Sequence, residues 1–120
     1  MKSVLALAFA LFAAVVHAQT PPTVYKPGNG VTLPRVITQV KAGYTNEARE
    51  RRIVGTVLLD AVVLSDGSVG DVTVVGSLDS VYGLDDNAVK AMKQWTFSPG
   101  TKDGKAVAVG ISVEMTFTLK

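Results

Sequence analysis

The residues that could perform acid–base or nucleophilic chemistry in this chain are few and scattered. Asp85 and Asp86 are adjacent, but they begin a helical pattern, where acidic side chains favour the positive end of the helix dipole. Aspartates around a nearby turn lack the spaced ligands of a calcium loop, and the serines lack a base partner or a known nucleophile motif. We therefore predict no catalytic residue, no metal site and no bound cofactor.

The composition excludes further classes of site. The 120 residues contain no cysteine and a single histidine, His17, which excludes disulfides, thiolate nucleophiles and sites with several cysteine or histidine ligands. The 12 basic and 10 acidic residues give a net charge of +2, so a positive electrostatic field strong enough to attract nucleic acid is not expected. The length favours one domain.

The first residues have the pattern of a secretory signal peptide. Lys2 precedes an uncharged run of 13 residues, 4–16, and Val16-His17-Ala18 offers small or neutral residues before a polar segment. The run is too short to span a bilayer, for which ~20 apolar residues are needed. We predict a signal peptide over 1–18 with cleavage after Ala18 and export to the periplasm. The alternative is an uncleaved anchor in the inner membrane.

A linker is predicted over residues 19–34. Four of the five prolines and the sequence Gly28-Asn29-Gly30 lie there, which favours extended or irregular chain. Tyr25 and Val31 are the residues of this segment that could dock on the following domain, which we place at 35–120.

Hydrophobic periodicity predicts the elements of that domain. Residues 35–40 are β-prone, and Thr45 can cap a short helix over 46–52. The stronger patterns predict three strands, one helix and two turns. The first strand is apolar on both faces, and a turn at 65–68 joins it to a returning strand. A helix whose apolar residues recur at helical spacing comes next, followed by a turn at 102–105 and a strictly alternating last strand. In that order, the strands span 56–64, 69–78 and 107–119, and the helix spans 84–95 with the stripe Leu84, Ala88, Met92 and Trp95.

These elements predict the α+β class, with a three-stranded antiparallel sheet and two helices packed on one face. The helix between the second and third strands returns the chain, so full antiparallel pairing requires the first strand in the middle. Its two apolar faces agree with that position. The last strand then lies at an edge, where another strand can be added.

Several motifs together resemble the TonB C-terminal domain family. The matching pieces cover Tyr44 to Lys120 and are YTNEARERRIVGTV, VLSDGSVGDVTVV, GLDDNAVKAMKQWTFSPG and GKAVAV with a last strand ending in FTL. Thr45 replaces the proline of the family's Tyr-Pro pair. The combined order of these motifs is specific, although no single one is.

The resemblance implies a non-enzymatic periplasmic protein linked to TonB-dependent transport. In this family the domain binds a TonB box, a short segment of an outer-membrane receptor, by adding it as a strand at the sheet edge. The expected partner is such a segment, or one from another envelope protein, and the corresponding edge lies around Ile111 to Thr118. The predicted partner-binding residues are Tyr44, Arg49, Arg52, Ile111, Ser112, Val113, Glu114, Thr116 and Thr118. For the arginines, an ordinary solvated helix face is the alternative.

The chain departs from a full energy transducer at its N-terminal side. Ala13 stands four residues before His17, where transducers carry the serine of a Ser-x-x-x-His motif, and only residues 19–34 stand in place of a long spacer. Three hypotheses follow: a periplasmic binding module, a membrane-anchored energy transducer with an uncleaved N-terminal helix, and a structural homo-oligomer such as a homodimer formed through exposed edges.

Overall fold

A computed structural model describes residues 23–120 of the chain. The predicted signal peptide, residues 1–18, and the first residues of the predicted linker lie outside the described residues. The elements, in chain order, are β1 Val24–Tyr25, β2 Val31–Thr32, β3 Arg35–Thr38, α1 Asn46–Glu50, β4 Gly55–Val63, β5 Val69–Gly76, α2 Leu84–Met92, β6 Thr96–Ser98, β7 Gly100–Lys102 and β8 Lys105–Phe117.

The main sheet contains the three predicted strands in the predicted order. β4 lies in the middle and pairs antiparallel with β5 on one side and with β8 on the other, from Gly55 opposite Phe117 to Val63 opposite Val109. The predicted number of strands is wrong, because this sheet has six: its order is β2-β7-β8-β4-β5, and β1 also pairs with β8. The three additional strands have two or three residues each, too few to show a periodic pattern.

A second sheet of two strands joins β3 to β6. It contacts the β4–β5 turn through a hydrogen bond in which the Phe97 amide donates to the Gly67 carbonyl oxygen at 2.9 Å. Gly67 has φ +90°, and a Cβ there would collide with the Phe97 carbonyl oxygen. A glycine is therefore required where the predicted hairpin turn meets β6.

Both helices contribute to one hydrophobic core on one face of the main sheet. Alternate residues of β4 are buried, from Val57 to Val63, as expected for side chains that point to a single face. The predicted stripe of α2 is confirmed, since Leu84, Ala88 and Met92 are fully buried and Trp95 is 6% exposed. The core also contains Ala48 of α1, and Met115 and Phe117 of β8.

The helix ends differ slightly from those predicted. Thr45 caps α1 as expected, because its Oγ1 accepts a hydrogen bond from the Ala48 amide at 3.1 Å. The helix ends at Glu50 instead of residue 52, because Arg52 takes a left-handed conformation with φ 54°. The second helix ends at Met92 instead of Trp95, where a tighter turn follows and the Trp95 amide donates to the Met92 carbonyl oxygen at 3.1 Å.

Candidate functional site

The outer side of β8, away from β4, is covered only over its first part. β7 pairs with residues 105–107, and β1 pairs in parallel with Ala108 and Val109. The pairing of β1 with β8 ends at Tyr25. It is followed by Pro27, which has no backbone N–H to donate, and by Gly28, whose φ of +103° is not that of a strand. Within residues 23–120, no strand pairs with the outer side of β8 beyond Val109. We call the stretch Gly110 to Phe117 the open edge.

The segment formed by residues 39–42 lies beside the open edge. Trp95 holds this segment in place, since its indole Nε1 donates a hydrogen bond to the Val40 carbonyl oxygen at 2.8 Å. A groove of about 350 Å³ separates the segment from β8, and its lining combines apolar and polar side chains. The lining residues are Gln39, Val40, Lys41, Ala42, Trp95, Glu114, Met115 and Thr116.

The sheet face opposite the helices is polar along β8. Ser112 Oγ donates to Asp60 Oδ1 at 2.8 Å, and the hydroxyls of Thr116 and Thr56 lie 3.2 Å apart. A wider cavity of about 710 Å³ opens on this face, and its lining includes Lys26 and Asp71 as well as Ser112. Cross-strand hydrogen bonds of this kind fix the orientation of the polar side chains.

Eight of the nine predicted partner-binding residues line three separate cavities that follow one another along β8 and past its end. Ile111 and Ser112 line the cavity on the polar face, Glu114 and Thr116 line the groove at the open edge, and Tyr44, Arg49, Arg52 and Thr118 line a third cavity just past the end of β8. Val113 belongs to none of these linings. The side chains of Ile111 and Val113 pack against the core, so these two residues offer a partner mainly their backbone.

Two buried carboxylates form a network that the sequence did not predict. Asp85 accepts hydrogen bonds from the amides of Leu78 and Asp79 and from Ser77 Oγ, and Asp79 accepts from the amides of Val81, Tyr82 and Leu84. Burial raises the pKa of each carboxyl, but these donors outweigh burial, and both pKa values are below their ordinary value of 3.8. The network orders the loop that leads into α2.

The described residues contain no set of three or more acidic, histidine or cysteine side chains placed to hold a metal ion. In residues 23–120, no helix has the length and apolar character needed to cross a membrane. Asp66 also has a pKa below its ordinary value, because Ser68 donates a side-chain and a backbone hydrogen bond to it. This aspartate stabilises the β4–β5 turn.

Comparison with known proteins identifies a family and similar sequences. Residues 40–119 match the family described as Gram-negative bacterial TonB protein C-terminal. The chain is 35% identical over 85 residues to Protein TonB of Vibrio cholerae, an alignment that covers 71% of this chain and 34% of that protein. It is 40% identical over 76 residues to Protein tonB2 of Pseudomonas aeruginosa, covering 63% and 28%.

A solved structure is also similar. The solution NMR structure of the Pseudomonas aeruginosa TonB CTD superposes with a TM-score of 0.58 at 26% sequence identity, covering 79% of this chain and 93% of that one. The two curated relatives are much longer than the aligned region, which spans about a third of their length.

Proposed function

Because the chain belongs to the Gram-negative bacterial TonB protein C-terminal family, we propose that it is a non-enzymatic periplasmic binding module of TonB-dependent transport. It is exported by the signal peptide over residues 1–18. It binds an extended segment of an outer-membrane receptor, or of another envelope protein, by adding that segment as a strand to β8. The open edge is the observation that carries this proposal, since its outward N–H and C=O groups have no strand partner within residues 23–120.

The dimensions of the open edge define the segment that it accepts. From Gly110 to Phe117 the strand is about 26 Å long at the usual rise per residue. β1 limits one end of this stretch, because it already pairs with Ala108 and Val109. At the same rise per residue, a segment of about six to eight residues pairs with the open edge without displacing β1.

The surroundings of the open edge favour an alternating segment. One side of the groove presents Val40, Ala42 and Met115, which suit apolar side chains, while Glu114 and Thr116 suit polar ones. Side chains of an added strand point alternately to the two faces of the sheet. Backbone hydrogen bonds provide affinity in this mode of recognition, and the alternating side chains provide specificity.

Photocross-linking in cells tests the proposal. A photoreactive residue at Ser112 or Thr116 is expected to give adducts with an envelope protein, identified by mass spectrometry. The matched control is Val75, a residue of β5 that is 50% exposed and lines none of the three cavities described above. Few adducts are expected there. Adducts only with other copies of the chain would favour the homodimer, and equal capture from Val75 would contradict binding at β8. Co-purification with inner-membrane motor proteins would favour an anchored transducer instead.

A further inference from the structure

A basic cavity lies just past the end of β8. Its volume is about 500 Å³, and its lining consists of Tyr44, Arg49, Arg52, Thr118, Leu119 and Lys120. Three of these side chains are cationic, and none is acidic. Both arginines are exposed, so their guanidinium groups are available to a ligand.

The aromatic wall of the basic cavity is fixed. Tyr44 donates a hydrogen bond from its hydroxyl to the Ile53 carbonyl oxygen at 2.8 Å, and its ring packs edge-on against Phe117 with centroids 5.4 Å apart. Arg49 lies over this ring, with Cζ 5.5 Å from the ring centroid, a distance at which a cation is attracted to an aromatic face. Tyr44 therefore positions Arg49 at the cavity.

Arg52 occupies a position at which glycine is usual. The Ile53 amide donates to the Ala48 carbonyl oxygen and the Arg52 amide to the Arg49 carbonyl oxygen, both at 3.0 Å, which is the hydrogen-bond pattern of a Schellman helix end. The residue after the helix cap in this motif is left-handed, and Arg52 has φ 54° there. A residue with a Cβ loses stability in this conformation, whereas glycine does not. Strained backbone conformations cluster at functional sites, so an arginine instead of a glycine at position 52 indicates a function for its side chain.

We propose that the basic cavity binds the carboxylate of an acidic residue that flanks the segment added to β8. This inference rests on the proposed function, and it adds the chemistry of one end of the partner. Thr118 to Lys120 directly continue β8, so a strand paired with the open edge ends beside the cavity. Arg49 and Arg52 then provide planar guanidinium groups, which match a carboxylate geometrically and electrostatically.

Two designed peptides test this inference. Both alternate valine and threonine over eight residues; one carries two aspartates at each end, and the other carries asparagines instead. Affinity is measured by isothermal titration calorimetry at fixed low salt. The wild-type chain is expected to bind the aspartate peptide about fivefold more tightly, the size of one exposed ion pair.

Three variants separate charge at the cavity from charge in general. Arg49→Gln and Arg52→Gly are expected to remove the preference for the aspartate peptide and to leave the affinity for the asparagine peptide unchanged. Arg51→Gln is the matched control: it removes the same charge from a neighbouring residue whose guanidinium lies 4.4 Å from the Tyr82 ring centroid and does not line the cavity. It is expected to keep the preference.

Arg52→Gly also distinguishes a binding role from a structural one. Because glycine relieves the left-handed strain, this variant is expected to raise Tm by about 2–5 °C while it loses the preference for aspartate. If all variants bind both peptides equally well, strand addition stands and the carboxylate site is wrong. If neither peptide binds the wild-type chain, strand addition itself fails. Arginine-dependent binding of inorganic phosphate or phosphatidylglycerol vesicles, without peptide discrimination, would assign another anion and overturn the proposal.

Discussion

Trp95→Phe tests whether the packing and hydrogen bond of Trp95 support the groove beside the open edge. Trp95 is 6% exposed, packs beside Phe97 and lines the groove next to Met115. Its indole Nε1 joins the loop after α2 to Val40, which lies 55 residues earlier in the chain. Phenylalanine keeps an aromatic ring in the core but removes this donor and part of the ring volume.

The expected loss of stability follows from these two changes. The hydrogen bond contributes about 1 kcal/mol net, and the Val40 carbonyl oxygen loses its partner. The smaller ring leaves unfilled space in the core, which adds about 1 kcal/mol. A total of about 2–3 kcal/mol is a large part of the ~5–15 kcal/mol that stabilises a typical domain. For a domain of this size, Tm is expected to fall by about 10–15 °C.

Urea unfolding measures the free energy of unfolding, and amide hydrogen exchange measures how well the segment 39–42 is held in place. Faster exchange of its amides is expected in the variant, together with severalfold weaker binding of an extended peptide at a temperature where the variant is folded. Tyr44→Phe is the calibration, since it removes one hydrogen bond, to the Ile53 carbonyl oxygen, without reducing the ring. A loss below about 0.5 kcal/mol for Trp95→Phe, with unchanged exchange at 39–42, would refute the assigned role of the hydrogen bond.

Three further outcomes are expected. Because the pKa values of Asp79 and Asp85 are lower when folded than when unfolded, their stabilisation is complete above the ordinary value of 3.8 and is lost as pH falls through the folded pKa. Asp85→Asn should therefore weaken the acid dependence of urea midpoints, and an unchanged pH profile would argue against the network. Gly67→Ala should cost about 2–3 kcal/mol in the same assay. Gly104→Ala, which also has positive φ but nothing within 4 Å of a Cβ, should cost about half as much; equal losses would exclude the contact with Phe97 as the cause. Replacing residues 24–25 with glycine should increase the affinity, measured by calorimetry, of peptides long enough to reach Val109. An equal increase for six-residue peptides would show that β1 does not compete with peptides for β8.

The larger elements were predictable because their signals are local. The alternation along β8 and the stripe of α2 reflect the periods of a strand and a helix, and Thr45 is a usual capping residue. The short strands β1, β2, β6 and β7 carry no such period, because pairing with distant backbone determines them. The omission of β1, β2 and β7 explains why the sequence predicted half the true number of strands in the main sheet.

The geometry of the candidate site could be predicted only in outline. Alternation placed the polar side chains of Ser112, Glu114 and Thr116 on one face, but the covering of β8 up to Val109 depends on β1 and β7. From the sequence alone, Asp85 is predicted to be an ordinary acidic residue in the first turn of a helix. Its three donors come from residues 77–79, and this arrangement depends on how the loop folds back on the helix. No local pattern contains that information.

Amide hydrogen exchange with and without a bound extended peptide tests strand addition at β8 most directly. The account predicts that binding slows exchange at amides between Ile111 and Phe117 and leaves the outer strand β5 unchanged. The protected amides should alternate, since only every second residue of a strand directs its N–H to a given side. Protection confined to β5 or to β3, with none in the open edge, would contradict the central claim.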